Sequence, residues 1–223
     1  MKTVAFVPIK MNNERLPGKN TMKFSNGKVL INYILETLLK IDILDEIYVY
    51  CSDARIQEFL PEGIVFLQRN TYLDLPTTSF NDVLTSFASD VKADTYVLTH
   101  ATAPFLSKSS FEKAIAAVNS GKYDSALSVT RLQEFIWKSG KPYNYSPEDI
   151  PRTQDLETYY IETCGMYVYK ASLINKEHRR VGSKPYLVEV SKIEACDIND
   201  AIDFIIADAI AIGLENSKNK ISR

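Results

Sequence analysis

The sequence contains few of the motifs that mark several common classes of protein. Its three cysteines are far apart and form no C-x-x-C pair. An odd cysteine number without a recognisable secretory signal predicts reduced thiols and a cytoplasmic location. No apolar run is long enough to span a membrane, so no membrane partner is expected.

Other signatures are missing as well. The formal net charge is only −2, whereas nucleic-acid-binding proteins usually carry a strong basic excess. No G-x-G-x-x-G follows the first predicted strand, which argues against a dinucleotide site, and no Walker loop is present. The sequence has no G-x-S-x-G elbow and no Cys–His–Asp order, so nothing predicts covalent catalysis.

Strands and helices alternate along most of the chain. Short apolar runs predict seven strands, which are Thr3–Ile9, Glu46–Cys51, Ile64–Leu67, Thr95–Thr99, Asp124–Val129, Cys164–Tyr169 and Tyr186–Val190. Helical spacing predicts five helices, which are Val29–Ile41, Asp53–Leu60, Phe80–Val91, Ser109–Asn119 and Asn199–Leu214. Ser109 and Glu112 have the spacing of a capping box. This alternation predicts one α/β domain over residues 1–223, with a mostly parallel sheet and helices on both faces.

The alternation breaks between Thr130 and Ile161. This stretch is polar and rich in prolines and aromatic residues, among them Trp137 and Tyr143. It is interpreted as an insertion or protruding arm over residues 130–161. Aromatic residues are enriched at protein interfaces, so the arm predicts a homodimer.

The loop after the first strand is typical of an anion site. It runs Lys10-Met-Asn-Asn-Glu-Arg15-Leu-Pro-Gly-Lys19-Asn20. Gly18 allows backbone conformations that other residues avoid. Backbone N–H groups in such a loop can face phosphate oxygens, while lysine and arginine supply positive charge. The loop therefore predicts a nucleotide-binding site.

Six segments, in order, resemble those of the acylneuraminate (sialic acid) cytidylyltransferases. The segments are Arg15-Leu-Pro-Gly-Lys19-Asn20, Val97-Leu-Thr-His-Ala-Thr-Ala-Pro104, Tyr123-Asp-Ser-Ala-Leu-Ser-Val129, Arg152-Thr-Gln-Asp-Leu156, Cys164-Gly-Met-Tyr-Val-Tyr169 and Cys196-Asp-Ile-Asn-Asp-Ala-Ile-Asp203. The resemblance implies a nucleotide-binding sheet like that of the nucleotide-diphospho-sugar transferases. It also implies transfer of CMP from CTP to a sialic-acid-like ulosonic acid, with release of pyrophosphate.

Lys10, Arg15 and Lys19 are the predicted triphosphate clamp, because fixed cations stabilise the charge that develops on the leaving pyrophosphate. A solvated cationic loop is the alternative. The family usually has arginine at position 10, and Lys10 lacks its bidentate fork. Asn20 is predicted either to orient a phosphate or ribose or to serve as a turn residue. Arg69 resembles a family arginine near the cytosine, with an ordinary surface arginine as the alternative.

Asp197 is the predicted ligand for Mg²⁺, the cofactor that the resemblance implies, because carboxylate oxygens suit this ion. The family has a second carboxylate two positions later, where this chain has Asn199. Asp200 is predicted either to complete the metal site or to cap the last helix. Asp203 fits a first-turn charge at that helix.

The acidic sugar is expected at the end of the strand Thr95–Thr99. His100, where the family commonly has glutamine, is predicted to bond the sugar or to help activate its anomeric hydroxyl; a core histidine is the alternative. Thr102 retains the family residue. Arg152 and Gln154 are predicted to pair with the sugar carboxylate, with an inter-subunit salt bridge as the alternative.

Several residues are given no chemical role. Cys51 and Cys164 are predicted to be buried small hydrophobes. The run His178-Arg179-Arg180 is interpreted as a solvated loop.

Two other functions stay open: a sugar-phosphate nucleotidyltransferase that uses another base, and a catalytically silent nucleotide-binding homologue.

Overall fold

The computed structural model describes residues 1–221, with side chains as far as Ser217. The last two residues of the predicted 1–223 domain lie outside the described range. The strands are β1 (Thr3–Ile9), β2 (Glu46–Cys51), β3 (Val65–Gln68), β4 (Thr95–Thr99), β5 (Ser125–Leu132), β6 (Trp137–Lys138), β7 (Lys141–Pro142), β8 (Tyr159–Lys170) and β9 (Pro185–Glu189). The α-helices are α1 (Leu30–Leu38), α2 (Phe80–Asp90), α3 (Lys108–Asn119), α4 (Ala171–Glu177) and α5 (Ala201–Ile221).

Seven strands form one sheet in the order β3-β2-β1-β4-β8-β5-β9. The pairs β3–β2, β2–β1, β1–β4 and β5–β9 are parallel, whereas β8 runs antiparallel to both β4 and β5. The mostly parallel α/β class is therefore confirmed. The direction of β8 changes because residues 133–158 return the chain beside β5 without the helical crossover that a parallel neighbour needs.

Buried side chains cover both faces of the sheet, which confirms the predicted layers. Alternate residues of β1 point to opposite faces. Val7 belongs to a cluster with Ile34 of α1 and Phe111 of α3, whereas Phe6 belongs to the cluster that contains Leu84 of α2 and Leu173 of α4.

The bounds of β1, β2 and β4 agree with the prediction, but other elements differ. The predicted helix Asp53–Leu60 is a 3₁₀ turn over Ala54–Phe59, with Asp53 accepting a bond from the Arg55 N–H. Strands β5 and β8 extend into the predicted arm, because Leu132 pairs with Tyr159 across the ladder. The separate part of the arm is thereby limited to residues 133–158, which include the β6–β7 hairpin.

The cap of α3 corrects a sequence prediction. Ser107, and not Ser109, accepts the bond from the Ser110 N–H at 3.2 Å. The second partner is not Glu112 but Glu194, whose carboxylate accepts from the Ser107 N–H at 3.1 Å and from the Ser110 hydroxyl at 2.6 Å. A residue distant in sequence thus supplies the acceptor that a local capping box would provide.

No helix in the described range is long and apolar enough to cross a membrane.

Candidate active site

A cavity of about 280 Å³ lies where β1 and β4 end. These strands are parallel neighbours, so the loops after them emerge at the same edge of the sheet. The structure brings seven of the predicted site residues to this cavity, and they are Lys10, Arg15, Lys19, Asn20, His100, Thr102 and Asp197. Positive groups from the start of the chain and a carboxylate from its end therefore line one space.

The loop after β1 is held by backbone geometry and one buried amide. Gly18 has φ of 71°, the left-handed conformation that glycine adopts without strain. The buried Asn20 side chain donates to the Lys10 carbonyl at 3.0 Å and to Asn13 Oδ1 at 3.4 Å. These contacts give Asn20 a role in shaping the loop, and a phosphate or ribose contact stays a prediction.

Ile198 joins the two ends of the chain at the cavity. Its fully buried side chain packs in a cluster with Phe24 and Leu30. Its N–H donates to the Thr102 carbonyl at 2.9 Å, and its carbonyl accepts from Lys19 Nζ at 2.9 Å. This residue therefore fixes Asp197 and Asn199, on either side of it, beside the cationic loop.

Two consecutive hydrogen bonds connect Arg15, Asn199 and Asp197 at the cavity. Arg15 Nη2 donates to Asn199 Oδ1 at 2.9 Å, and Asn199 Nδ2 donates to Asp197 Oδ2 at 2.7 Å. Asn199 thus uses both ends of its amide, one toward a cation and one toward a carboxylate. An aspartate at this position would present two anions side by side.

The charges around Lys19 have opposing effects on the pKa of its ammonium group. Partial burial lowers the pKa of the Lys19 ammonium, and the nearby Arg15 lowers it further, while Asp197 and Asp203 oppose the decrease. A phosphate entering the cavity would stabilise the charged form of Lys19 for the same electrostatic reason.

His100 faces the cavity as a neutral imidazole. Desolvation, together with the positive charges of Arg180 and Lys19, lowers the pKa of His100 to about 4. Its ring lies 5.4 Å, centroid to centroid, from the ring of Phe80. At neutral pH this side chain can accept one hydrogen bond and donate another.

The prediction that Cys164 is a buried thiol is wrong. It is exposed, lines the cavity, and has φ of 56°. The cause is an irregularity between β5 and β8, where the Ser128 hydroxyl accepts from the Met166 N–H at 3.1 Å in place of a regular ladder bond. Cys51, by contrast, is buried as predicted.

Arg69 is buried, so the interpretation as a surface arginine is wrong. Its side chain is 4% exposed and donates to Asp74 Oδ1 at 2.6 Å. Its Nε has no hydrogen-bond partner within the described structure. Arg69 lines an adjoining cavity of about 350 Å³, which Lys10 also lines. Asp74, which sequence reasoning missed, is therefore the counter-ion that lets this arginine stay buried.

Arg152 and Gln154 are not among the residues that line the cavity. Arg152 is 72% exposed at its side chain and donates two bonds to the Asp155 carboxylate, at 2.7 and 3.0 Å. Gln154 is exposed, and its backbone carbonyl accepts from the Gln133 side chain. Their contact with a sugar carboxylate stays a prediction that these contacts do not support.

The acidic residues offer a limited fit to a metal ion. Among the described residues, no group of three or more His, Cys, Asp or Glu side chains is arranged to hold one. Asp197 is the carboxylate at the cavity, and Mg²⁺ is commonly held by one or two carboxylates together with substrate phosphates. The residues therefore fit an ion that arrives with a nucleotide.

Asp200 has the contacts of a helix cap. Its Oδ1 accepts from the N–H groups of Ile202 and Asp203 at 2.9 and 3.1 Å, where α5 begins. Asp203 Oδ2 in turn accepts from the N–H groups of Asn199 and Asp200. Of the two roles predicted for Asp200, these contacts support capping, and metal binding stays a prediction.

Arg180 is a cation near His100 that sequence reasoning missed. The solvated-loop interpretation is wrong for it, because its side chain is only 24% exposed and stacks on the Tyr167 ring. Its partners are distant in sequence, and no local pattern around Arg180 indicates them.

Residues 4–202 match the family described as Cytidylyltransferase. The chain belongs to this family. The match covers most of the sequence and confirms the resemblance found in its motifs.

Curated cytidylyltransferases share part of their length with the chain. N-acylneuraminate cytidylyltransferase A of Danio rerio is 25% identical over 214 residues, covering 92% of this chain and 49% of the relative. 3-Deoxy-manno-octulosonate cytidylyltransferase 2 of Hydrogenovibrio crunogenus is 27% identical over 163 residues, covering 71% and 63%. The chain thus spans about half to under two thirds of the length of these two relatives.

Solved structures share the fold. CMP:2-keto-3-deoxy-manno-octonic acid synthetase complexed with CTP superposes with a TM-score of 0.71 at 16% identity, covering 96% of this chain and 99% of that one. 4-Diphosphocytidyl-2C-methyl-D-erythritol synthase of Anaerococcus prevotii gives 0.67 at 14% identity, covering 94% and 96%. At these identities the likeness shows the nucleotidyltransferase-like fold alone.

Proposed function

We propose that the chain transfers CMP from CTP to a sialic-acid-like ulosonic acid and releases pyrophosphate. Family membership and the names of the relatives support the cytidylyl donor. The observation that carries the proposal is the meeting of Lys10, Arg15 and Lys19 with Asp197 around one cavity. A triphosphate needs cations from the protein and a carboxylate that can share a metal ion.

The reaction forms one bond and breaks one. The anomeric hydroxyl oxygen of the sugar attacks the α-phosphorus of CTP in line, and the bond from that phosphorus to the bridging oxygen breaks. The electron pair leaves with pyrophosphate, and the hydroxyl proton passes to solvent. Lys19 and Arg15 would stabilise the growing negative charge, and positioning supplies much of the remaining rate.

His100 is assigned to orienting the sugar hydroxyl. A group with a pKa of about 4 is a weak base at neutral pH, and general bases act best when their pKa is close to the working pH. A neutral imidazole still accepts a hydrogen bond well. Thr102, beside it at the cavity, is proposed to contact the same sugar.

Mg²⁺ is the proposed cofactor, with Asp197 as the residue that would hold it. When bound, the ion would offset phosphate charge and align the α-phosphate. Asn199 supplies a neutral oxygen where the family has a carboxylate, so this chain should bind the ion more weakly without nucleotide. Arg69, in the adjoining cavity, is proposed to meet the cytosine.

The test follows pyrophosphate release with CTP, ATP, GTP and UTP, each with Mg²⁺ and one of three acceptors: N-acetylneuraminate, 3-deoxy-manno-octulosonate or a hexose 1-phosphate. Release with CTP and a sugar acid is expected. Release with another nucleotide and a sugar phosphate would support the second enzyme class instead. CTP binding by calorimetry without turnover on any ulosonic acid would support the silent homologue and refute the activity.

We also propose that the arm mediates a homodimer. Its aromatic and aliphatic side chains are exposed in the single chain, with Trp137 at 62%, Tyr143 at 54% and Ile150 at 65%. Large exposed apolar side chains mark interaction surfaces when they form a contiguous patch, and these three lie within 14 residues of sequence.

A further inference from the structure

Aromatic rings, and not hydrogen bonds, hold the guanidinium of Arg180 in place. Its Cζ lies 3.6 Å from the centroid of the Tyr167 ring and 5.1 Å from that of Phe80. Tyr167 is fully buried, so one of the two surfaces is rigid. Stacking of this kind fixes the plane of a guanidinium and leaves its N–H groups free for another partner.

The donors of Arg180 are unused within the described structure. A guanidinium carries five N–H donors, and those of Arg180 make no hydrogen bond to an acceptor among residues 1–217. The nearest carboxylate oxygen, Glu162 Oε1, is 3.8 Å away and accepts from the Tyr167 hydroxyl. Glu162 is 43% exposed, so this pair is weak. An anion with two oxygens would satisfy the open fork.

One aromatic ring, that of Phe80, connects Arg180 to the candidate active site. The Phe80 ring that stacks against it contacts the ring of His100, which lines the cavity together with Lys19. His100 is influenced electrostatically by both Arg180 and Lys19. A further cation, separate from the triphosphate clamp, therefore lies on the other side of the Phe80 ring from His100, one of the residues that line the cavity.

We infer that Arg180 binds the carboxylate of the acceptor sugar acid, in the role that the sequence motifs had suggested for Arg152. The inference rests on the proposed function. In a 2-keto sugar acid the carboxylate is attached to the anomeric carbon, so it must lie close to the attacking hydroxyl. Arg180 and His100 pack against the same Phe80 ring, whereas Arg152 is exposed and its guanidinium is occupied by Asp155.

The experiment compares wild type, R180Q and R180K, with R179Q as the matched control. Arg179 is adjacent, carries the same charge, and pairs with Glu177 at the surface. Binding of N-acetylneuraminate and 3-deoxy-manno-octulosonate is measured by calorimetry, with the C1 carboxamides as neutral probes. Pyrophosphate release then gives KM for each acid and for CTP. Thermal melts confirm that each variant is folded.

We expect R180Q to weaken binding of the acid by about 30- to 100-fold, which matches the loss of a charge-assisted pair. KM for CTP should change less than twofold, R180K should be intermediate, and R179Q should resemble wild type. The preference for acid over carboxamide should disappear in R180Q.

Equal binding of the acid by wild type and R180Q would overturn the inference, as would binding of neither acid by wild type. A rise in KM for CTP alone would also overturn it, because the anion would then be a nucleotide phosphate. Acid binding that depends on Arg180 without pyrophosphate release would refute the proposed function and leave the carboxylate site standing. Pyrophosphate release by R180Q with an unchanged KM for the sugar acid would refute the carboxylate site and leave the proposed function standing.

Discussion

Arg15 donates a hydrogen bond to Asn199 at 2.9 Å, although 184 positions separate them in the sequence. The same Asn199 amide donates to Asp197, so one neutral side chain links the cationic loop to the carboxylate. Asn199 can be changed to Asp with almost no change of volume. Such a change tests the electrostatics of the site separately from its shape.

N199D is expected to bind Mg²⁺ more tightly, on the order of tenfold. The new carboxylate would lie beside Asp197 and create a stronger field for a divalent cation, although a pair with Arg15 opposes part of the gain. Titration with Mn²⁺ followed by electron paramagnetic resonance measures the affinity. N216D, which adds the same charge at the exposed surface of α5, is the control. Unchanged affinity would place Asn199 away from the metal.

K19M is expected to reduce kcat by about 100- to 1,000-fold, because it removes a cation that stabilises the leaving pyrophosphate. KM for CTP should also rise. K23M is the matched control, since Lys23 is exposed and lies only four positions later. Lys19 also donates a hydrogen bond to the Ile198 carbonyl, and its loss could destabilise the fold. A thermal melt must therefore accompany the kinetics. Retained kcat in folded K19M would contradict the triphosphate clamp.

H100Q tests the pH dependence of stability. In the folded protein the pKa of His100 is about 4, below the ordinary value near 6.5. The unfolded chain therefore takes up this proton first as the pH falls, and the free energy of unfolding decreases between pH 6.5 and 4. Between pH 7 and 5, wild type should lose about 1–2 kcal/mol more than H100Q in urea titrations. Parallel losses in the two proteins would show that His100 is solvated.

Local patterns predicted the sheet better than they predicted the site. The strands β1, β2 and β4 are buried apolar runs, and their observed bounds agree with the prediction. The cap of α3 could not be predicted, because its acceptor Glu194 lies 87 positions from Ser107. Arg180 was missed for the same reason, since Phe80 and Tyr167 meet it only after folding.

The placement of the candidate site residues was predictable where a motif puts them in one loop. Lys10, Arg15 and Lys19 share the loop after β1, and the parallel order of strands brings His100 to the same edge. Arg152 shows the limit of that reasoning. A motif match gives the residue type, but it does not show that Asp155 occupies the guanidinium.

D74N tests whether Asp74 keeps Arg69 buried. The two side chains are 15% and 4% exposed, so loss of the carboxylate leaves a buried charge without compensation. We expect the free energy of unfolding to fall by about 2–3 kcal/mol, measured by urea denaturation. D155N removes one partner of the exposed Arg152 pair and should cost about 0.5 kcal/mol or less. Equal losses in the two variants would show that the Arg69 pair is screened by solvent.

W137S, combined with I150S, tests the arm as a dimer contact. Sedimentation velocity at micromolar concentration should show a dimer for wild type and a monomer for the double variant, because removing two large exposed side chains deprives an interface of anchors. I43S is the control, since Ile43 is 48% exposed but lies between α1 and β2, away from the arm. Its sedimentation should match wild type. A wild-type monomer, or a double variant that still dimerises, would mean that these two arm residues do not hold a second chain. The exposed isoleucines of α5, Ile202 and Ile205, would then be the next surface to substitute.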